Sequence, residues 1–367
     1  MKKNIYFFLG TEAELMKMFS TIKECKRRGY HCTIVASGQN KLENNPFLEL
    51  CESKVEIDLA DYAPKTKNVK NYISWMLGSK KIGIDVMRKE LKGKNKEECL
   101  WVVHGDTLTT LLGAQIARKI EIDYVHVESG LRSFNLLSPF PEEIDRYYAS
   151  KYSKINFCPK KEYALYAERK FRGKAVNTFY NTGIETLNYA LEVNRKNPGK
   201  RILDEEYFLL AIHRQENLYN GTFMKKLVEK ISQITKYMKC VFIYHVQTEA
   251  ALKKYNLWDL ICSNSNIIML DRRPYIEFVG LVDNAEFVVA DGCGNQQEFY
   301  YLGKPYLIMR SKVEKNSEGL GENAVCYQGD FNIVDSFVTN YRNYKREPIK
   351  MEKVPSRIIA DTIDNWR

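Results

Sequence analysis

Short apolar runs alternate along this chain with longer stretches in which apolar residues recur every three or four positions. Residues 5–9 form the first apolar run, which stops at Gly10-Thr11; helical periodicity follows from about 13 to 28, and a second run spans 31–36. The pattern continues as strand 100–103, helix 108–119, strand 124–127, helix 143–152, strand 154–158, helix 161–171 and strand 175–180. A polar stretch with Pro and Gly at 194–201 then reads as a linker. Beyond it come strand 207–212, helix 222–238, strand 241–245, helix 248–255, strand 266–270, helix 276–284, strand 286–290, helix 296–301 and strand 306–309. The last helix, about 357–367, has no strand after it.

Apolar runs bounded by turn residues and separated by helices are the signature of βαβ units on parallel sheets. With 367 residues the chain exceeds one ordinary core. The pattern therefore predicts two doubly wound, Rossmann-like α/β domains facing across a cleft, at 1–190 and 200–352. The closing helix, 353–367, is expected to pack back on the first domain. In open parallel sheets ligands bind at the carboxyl ends of the strands, and clefts between domains are favoured sites.

Composition narrows the class. A hydrophobic share of 44% and a charged share of 28% are those of a globular protein. No apolar run approaches the ~18–20 residues of a membrane span. The start, MKKNIYFFLGTEAE, lacks a small-residue cleavage site and reads as a buried strand, not a leader. Nine cysteines lie scattered with no C-x-x-C pair, which points to reduced thiols in the cytoplasm and away from disulfides or a zinc site. The net charge of +10 is spread over helical surfaces, so a solvated basic surface explains it without nucleic acid, and an acidic small ligand is compatible with it.

The candidate chemistry sits where strands end. His104-Gly105-Asp106-Thr107 follows strand 100–103, and His126-Val127-Glu128-Ser129-Gly130 closes strand 124–127. Asp106 and Thr107 serve either as a helix cap or as acid–base chemistry at a strand terminus. Ser138-Pro139-Phe140-Pro141 is a stiff loop that aims Glu142, Glu143, Asp145 and Arg146. Acids at a helix start are favoured by its dipole in any case. In the second half, His213 and Arg214 at a strand end suit a diphosphate. Asp291-Gly292-Cys293-Gly294 is a Gly-rich turn entering a helix, where backbone N–H groups can meet phosphate. Glu298, about a turn further on, is placed to take ribose hydroxyls.

Together these segments resemble the UDP-N-acetylglucosamine 2-epimerase family, whose fold is of the GT-B type. The resemblance runs from Gly10 to about Arg310 through GTEAELMKM, SGQN, VHGDT, HVESGLRS, SPFPEEIDR, NTG, HRQEN, DGCGNQQE and LGKPYLIMR. It implies inversion at carbon-2 of a UDP-N-acetylhexosamine, by anti elimination of UDP to a bound 2-acetamidoglucal and re-addition. It also implies a cytoplasmic homodimer feeding surface-polysaccharide synthesis, needing neither metal nor nicotinamide. By motif position Asp106, Glu128 and Glu142 match the acid–base carboxylates, His213 the histidine beside the diphosphate, and Lys17 the lysine of the first helix. Gly10, Arg146, Arg214, Gly292, Cys293, Gly294, Glu298 and Arg310 fall in the substrate-binding set. Gln39 and Arg146 match positions tied in some members to a second, activating substrate molecule.

Four departures stand out against that resemblance. The usual GTRPE reads Gly10-Thr11-Glu12-Ala13-Glu14, placing an acid where an arginine helps hold UDP. The usual DSGG reads Asp291-Gly292-Cys293-Gly294, which removes a phosphate-facing hydroxyl. The usual TTERPE reads Lys312-Val313-Glu314-Lys315-Asn316-Ser317, and activator-pocket glutamines are not seen at 60–75. A hydrolysing epimerase that releases free N-acetylmannosamine and UDP, a GT-B glycosyltransferase, and a nucleotide-sugar binding protein without turnover remain as other readings.

Overall fold

The computed structural model describes residues 3–60, 69–132, 142–197, 203–292, 295–311 and 321–366, with the side chains of 69–73 and 142 excepted. Seven parallel strands form the first sheet: β1 Asn4–Leu9, β2 His31–Ala36, β3 Val55–Asp58, β4 Cys99–His104, β5 Tyr124–Val127, β6 Ile155–Cys158 and β7 Lys174–Asn177. Their spatial order is β3-β2-β1-β4-β5-β6-β7. The second sheet holds β8 Tyr207–Ala211, β9 Lys239–Ile243, β10 Ile267–Leu270, β11 Val288–Ala290, β12 Tyr306–Ile308 and β13 Ala324–Cys326, in the order β10-β9-β8-β11-β12-β13. Both are doubly wound, so each reverses direction once. The first does so between β1 and β4, the second between β8 and β11.

Such a sheet is covered on both faces, which is why its strands are almost continuously apolar. In the first, Tyr6, Phe8, Trp101 and Tyr124 share one core with the helix Leu108–Ile120. In the second, Phe208, Phe242 and Phe287 pack against the helices Gly221–Ile234 and Phe331–Asn340. Full burial of a side chain of this kind contributes about 1.5–3 kcal/mol.

The chain divides into two compact units. One comprises Met1–Thr186 with Met351–Arg367, the other Leu187–Lys350. The division falls inside the helix Gly183–Lys196. In the first unit the helix Pro355–Asp364 lies against the helix Glu12–Arg27. Arg28 pairs with Asp361 at 2.7 Å and with Asp364, which also accepts from the Tyr30 hydroxyl. Glu185 accepts from the backbone N–H of Ser356 at 2.8 Å and from its hydroxyl at 2.7 Å.

Several elements differ from the sequence pattern. The expected strand 175–180 ends at Asn177, because Asn177 turns the chain by accepting from the Phe179 N–H at 2.9 Å, with Phe179 at φ 68°. The helix expected to reach 238 stops at Ile234. Between 37 and 99, where the pattern assigned nothing, lie β3 and the helices Pro46–Leu50 and Val69–Glu90. Among the described residues no helix is long and apolar enough to cross a membrane, and eight cysteines are free thiols.

Candidate active site

Both reversal points of strand order carry the polar residues. At the first, β1 ends in Gly10 and β4 in the Gly105-Asp106-Thr107 turn. Gly10 is a packing glycine: a β-carbon there would lie 2.0 Å from Thr109 Oγ1 and 2.4 Å from Ser37 Oγ. Glu14 reaches back from the helix Glu12–Arg27 to close this turn. Its Oε2 accepts from the N–H groups of Gly10 at 2.6 Å and Thr11 at 3.1 Å, and its Oε1 accepts from the Thr107 hydroxyl at 2.5 Å. Burial pushes the Glu14 carboxyl upward, and the Thr107 and Gly10 donors restrain the shift. Gln39 is brought beside Gly10, its Oε1 accepting from Thr109 Oγ1 at 2.7 Å. Glu12 is exposed at the start of the same helix.

Glu128 follows β5 directly and has a left-handed backbone at φ 65°. That conformation is uncommon for a residue with a β-carbon, and such strain collects at functional sites. Lys17 donates to both carboxylate oxygens, at 3.0 and 2.9 Å, and His104 Nε2 lies 3.0 Å from Oε2. Burial opposes a charge on Glu128, but Lys17 and His104 outweigh it and hold the carboxyl well below its ordinary range.

Asp106 belongs to a second set. Arg146 Nε donates to Asp106 Oδ2 at 2.7 Å, and Arg146 Nη2 donates to the same oxygen. Behind it, fully buried Glu143 lies 3.8 Å from Arg146 Nη1 and accepts from Arg132 Nε at 2.5 Å. Arg132 also donates to the Tyr166 hydroxyl at 2.8 Å. Arg146 is thus a partner of Asp106, a link its motif position did not reveal. Glu142 is the first residue of the helix Glu142–Tyr152. Its side chain and the loop Ser138–Pro141 lie outside the described residues.

At the second reversal point, β8 leads into His213 and β11 into Asp291. Asp291 is fully buried and accepts from the N–H of His213 at 3.0 Å, the N–H of Arg214 at 3.0 Å and Asn217 Nδ2 at 2.9 Å. It therefore shapes the HRQEN turn from across the sheet. The His213 ring stacks obliquely on His245 with centroids 5.1 Å apart, and a β-carbon on Gly292 would lie 2.6 Å from His213 Cε1. Burial, then His213, lowers the pKa of His245. Tyr306 donates its hydroxyl to the Gly292 carbonyl at 3.1 Å.

Arg214 and Arg310 both approach Glu216, at 3.6 and 3.7 Å, and Tyr275 donates to Glu298 Oε1 at 3.2 Å. Lys304 of the LGKP motif donates to the Asp283 and Ala285 carbonyls at 3.0 and 2.6 Å, seating the end of the helix Tyr275–Asn284. Cys293, Gly294 and 312–320 lie outside the described residues, as does much of 60–75. Among the described residues no group of three or more His, Cys, Asp or Glu side chains is arranged for a metal ion.

The structure thus joins Lys17, His104 and Glu128 in one set and Asp106 with Arg146 in another, both in the first unit. It joins His213, Asp291 and Gly292, and separately Arg214, Glu216 and Arg310, in the second. Glu14 and Tyr275 escaped the sequence reading as working parts. Glu143 and Asp291 were visible in their motifs, as an acid aimed by the Pro loop and the acid opening a Gly-rich turn, but their partners were not.

Comparison with known proteins follows the same lines. The family model for UDP-N-acetylglucosamine 2-epimerase matches residues 23–355. A UDP-N-acetylglucosamine 2-epimerase of Methanocaldococcus jannaschii is 32% identical over 371 residues, covering 96% of each chain. One from Neisseria meningitidis serogroup A is 28% identical over 96% of this chain and 97% of that one. A crystal structure of the M. jannaschii enzyme in complex with UDP-GlcNAc and UDP is similar over 100% of both chains, with a TM-score of 0.76 and 27% identity.

Proposed function

Because the chain belongs to the UDP-N-acetylglucosamine 2-epimerase family, we propose that it converts UDP-GlcNAc to UDP-ManNAc by eliminating UDP and adding it back to a bound 2-acetamidoglucal. The observation that carries this reading is the ionised Glu128, held between Lys17 and His104 at the end of β5, next to the strand whose end bears Asp106. Carbon-2 of the sugar is a weak acid, so its proton leaves only to a positioned base, and the departing diphosphate needs positive charge nearby. Two carboxylates on neighbouring strand ends, each with its own cation, supply proton acceptors and donors that differ in setting. In this reading Asp106, Glu128 and Glu142 move protons, and Lys17 keeps Glu128 ionised.

The second unit takes the nucleotide. In this reading His213, Arg214 and Arg310 serve the diphosphate together with the Gly-rich segment 291–294, and Glu298 with its Tyr275 partner takes the ribose hydroxyls. Gln39 and Arg146 are the assigned contacts for an activating second molecule. The scattered cysteines, with no C-x-x-C spacing, support a reducing, cytoplasmic setting.

The non-hydrolysing outcome is assigned because the SPFPEEIDR segment is present. Counting products tests it: UDP-ManNAc accumulates while free UDP stays far below one per turnover. One UDP and one free N-acetylmannosamine per turnover establishes the hydrolysing reaction instead.

A further inference from the structure

One buried chain of polar side chains takes no part in the proposed proton transfers. His126, fully buried on β5, places Nε2 2.7 Å from the carbonyl oxygen of Gly105 and Nδ1 3.0 Å from Ser150 Oγ. Ser150 Oγ lies 2.8 Å from Ser129 Oγ, which lies 2.8 Å from the side-chain amide of Asn156. All four side chains are at most 1% exposed. The chain starts on the residue before Asp106 and passes through the residue after Glu128. It also includes Ser150, which lies one helical turn beyond Arg146 on the same helix face.

Proton counting orders it. The Gly105 carbonyl can only accept, so Nε2 carries the hydrogen. Burial, with His104 adding to it, pushes the His126 pKa down to about 4, so the ring is neutral near pH 7 and Nδ1 accepts. Ser150 must then donate to His126, Ser129 to Ser150, and Asn156 to Ser129. The last step turns the Asn156 amide nitrogen toward Ser129, and as drawn that nitrogen is buried with no partner among the described residues. Oxygen and nitrogen of a side-chain amide are assigned from such networks. Any other direction leaves one contact with no proton or one with two. Protonating His126 would reverse all three links at once.

We infer that His126 and Ser150 are positioning residues for the Gly105-Asp106 turn, holding it against the helix Glu142–Tyr152 through a hydrogen-bond chain of fixed direction. Two further contacts act in parallel: Arg146 with Asp106, and the Tyr124 hydroxyl, donating to the Ala149 carbonyl at 2.7 Å from the same face of β5. Removing the Ser150 hydroxyl leaves Nδ1 without its donor, which loosens the ring and with it the Gly105 carbonyl, and lets Asp106 swing about Arg146. The titratable groups facing His126 are His104, Asp106 and Glu128.

This inference rests on the proposed 2-epimerase reading for its catalytic consequence but not for the hydrogen-bond chain itself, and two readouts separate them. In the full-length protein labelled with 15N-histidine, imidazole NMR at pH 7 is expected to show His126 as the neutral Nε2–H tautomer. Ser150→Ala is expected to keep the Nε2–H tautomer but to shift the Nδ1 resonance, which has lost its hydrogen-bond donor, and to lower kcat for carbon-2 exchange about 10- to 100-fold, with KM within about twofold. Ser150→Thr, which keeps the hydroxyl, restores both. Should Ser150→Ala fail to fold, Ser129→Ala, which removes the donor to Ser150, carries the same expectation for kcat. An Nδ1–H or cationic His126 in the unaltered protein overturns the inference, and so does wild-type exchange in folded Ser150→Ala. Absence of exchange in the unaltered protein sinks the 2-epimerase reading while the NMR result still decides the chain.

Discussion

The His213 ring occupies the space that a side chain on residue 292 would need: its Cε1 lies 2.6 Å and its Nε2 3.2 Å from an ideal β-carbon built on Gly292. The glycine that replaces the family's serine is therefore coupled to the histidine and is not an isolated loss of a hydroxyl. Asp291 fixes the backbone on one side of the ring and His245 flanks it on another.

Gly292→Ser is accordingly expected to displace His213 instead of restoring a phosphate contact. UDP affinity should fall about tenfold, or ~1.4 kcal/mol, by titration calorimetry. Tighter UDP binding in Gly292→Ser would show that the hydroxyl, not the ring position, governs this turn.

The Lys17–Glu128 pair predicts a pH dependence. Removing the ammonium leaves only His104 to oppose burial, which raises the Glu128 pKa. Lys17→Met should therefore move the acid limb of the kcat/KM profile upward by about one unit or more. An unmoved acid limb would mean that the limb belongs to another group. Glu128→Gln should reduce exchange by about 10²-fold or more at every pH.

Acid stability should depend on Glu24. Arg27 draws its carboxyl down, burial opposes, and Arg28 adds to the effect, taking it from an ordinary 4.5 to about 2. Folded below unfolded is the stabilising direction above the ordinary value, and the contribution is lost as pH falls from 4.5 toward 2. Because Arg27 is largely exposed, the contribution is only about 1 kcal/mol. Urea denaturation should find Glu24→Gln less stable than the unaltered protein at pH 6, with the gap closing near pH 2.5 or below. A gap independent of pH would assign the loss to packing.

The closing helix should matter to the first unit. Ile359 and Ile363 are fully buried although they lie more than 150 residues in sequence from the rest of their unit. Ile359→Ala is expected to destabilise by about 2–4 kcal/mol, measured by urea denaturation. A change below about 0.5 kcal/mol would show that this helix is not part of the cooperative unit.

The strand-ending motifs were legible because parallel strands are apolar throughout, so a His, Asp or Glu at a run's end is conspicuous. That is how Asp106, Glu128, His213 and Asp291 were found. β3 was not legible, since Val55-Glu56-Ile57-Asp58 alternates as a half-covered edge strand does and is only four residues long. β13, three residues of half-buried Ala-Val-Cys, was too short for any period. In the site, pairings across elements were the hidden part. Nothing local links Arg146 to Asp106, Glu14 to Thr107 or His126 to Ser150, because each pair meets only when β1, β4 and β5 lie side by side beneath their helices.

The central claim is proton exchange at carbon-2 by the strand-end carboxylates. Incubating UDP-GlcNAc with the protein in deuterated water and following the sugar by NMR tests it most directly. The account predicts deuterium at carbon-2 of the recovered UDP-GlcNAc and of a UDP-ManNAc product, and loss of both in Asp106→Asn and in Glu142→Gln. Wild-type exchange in both variants, or no deuterium entering any UDP-N-acetylhexosamine with the unaltered protein, would contradict it.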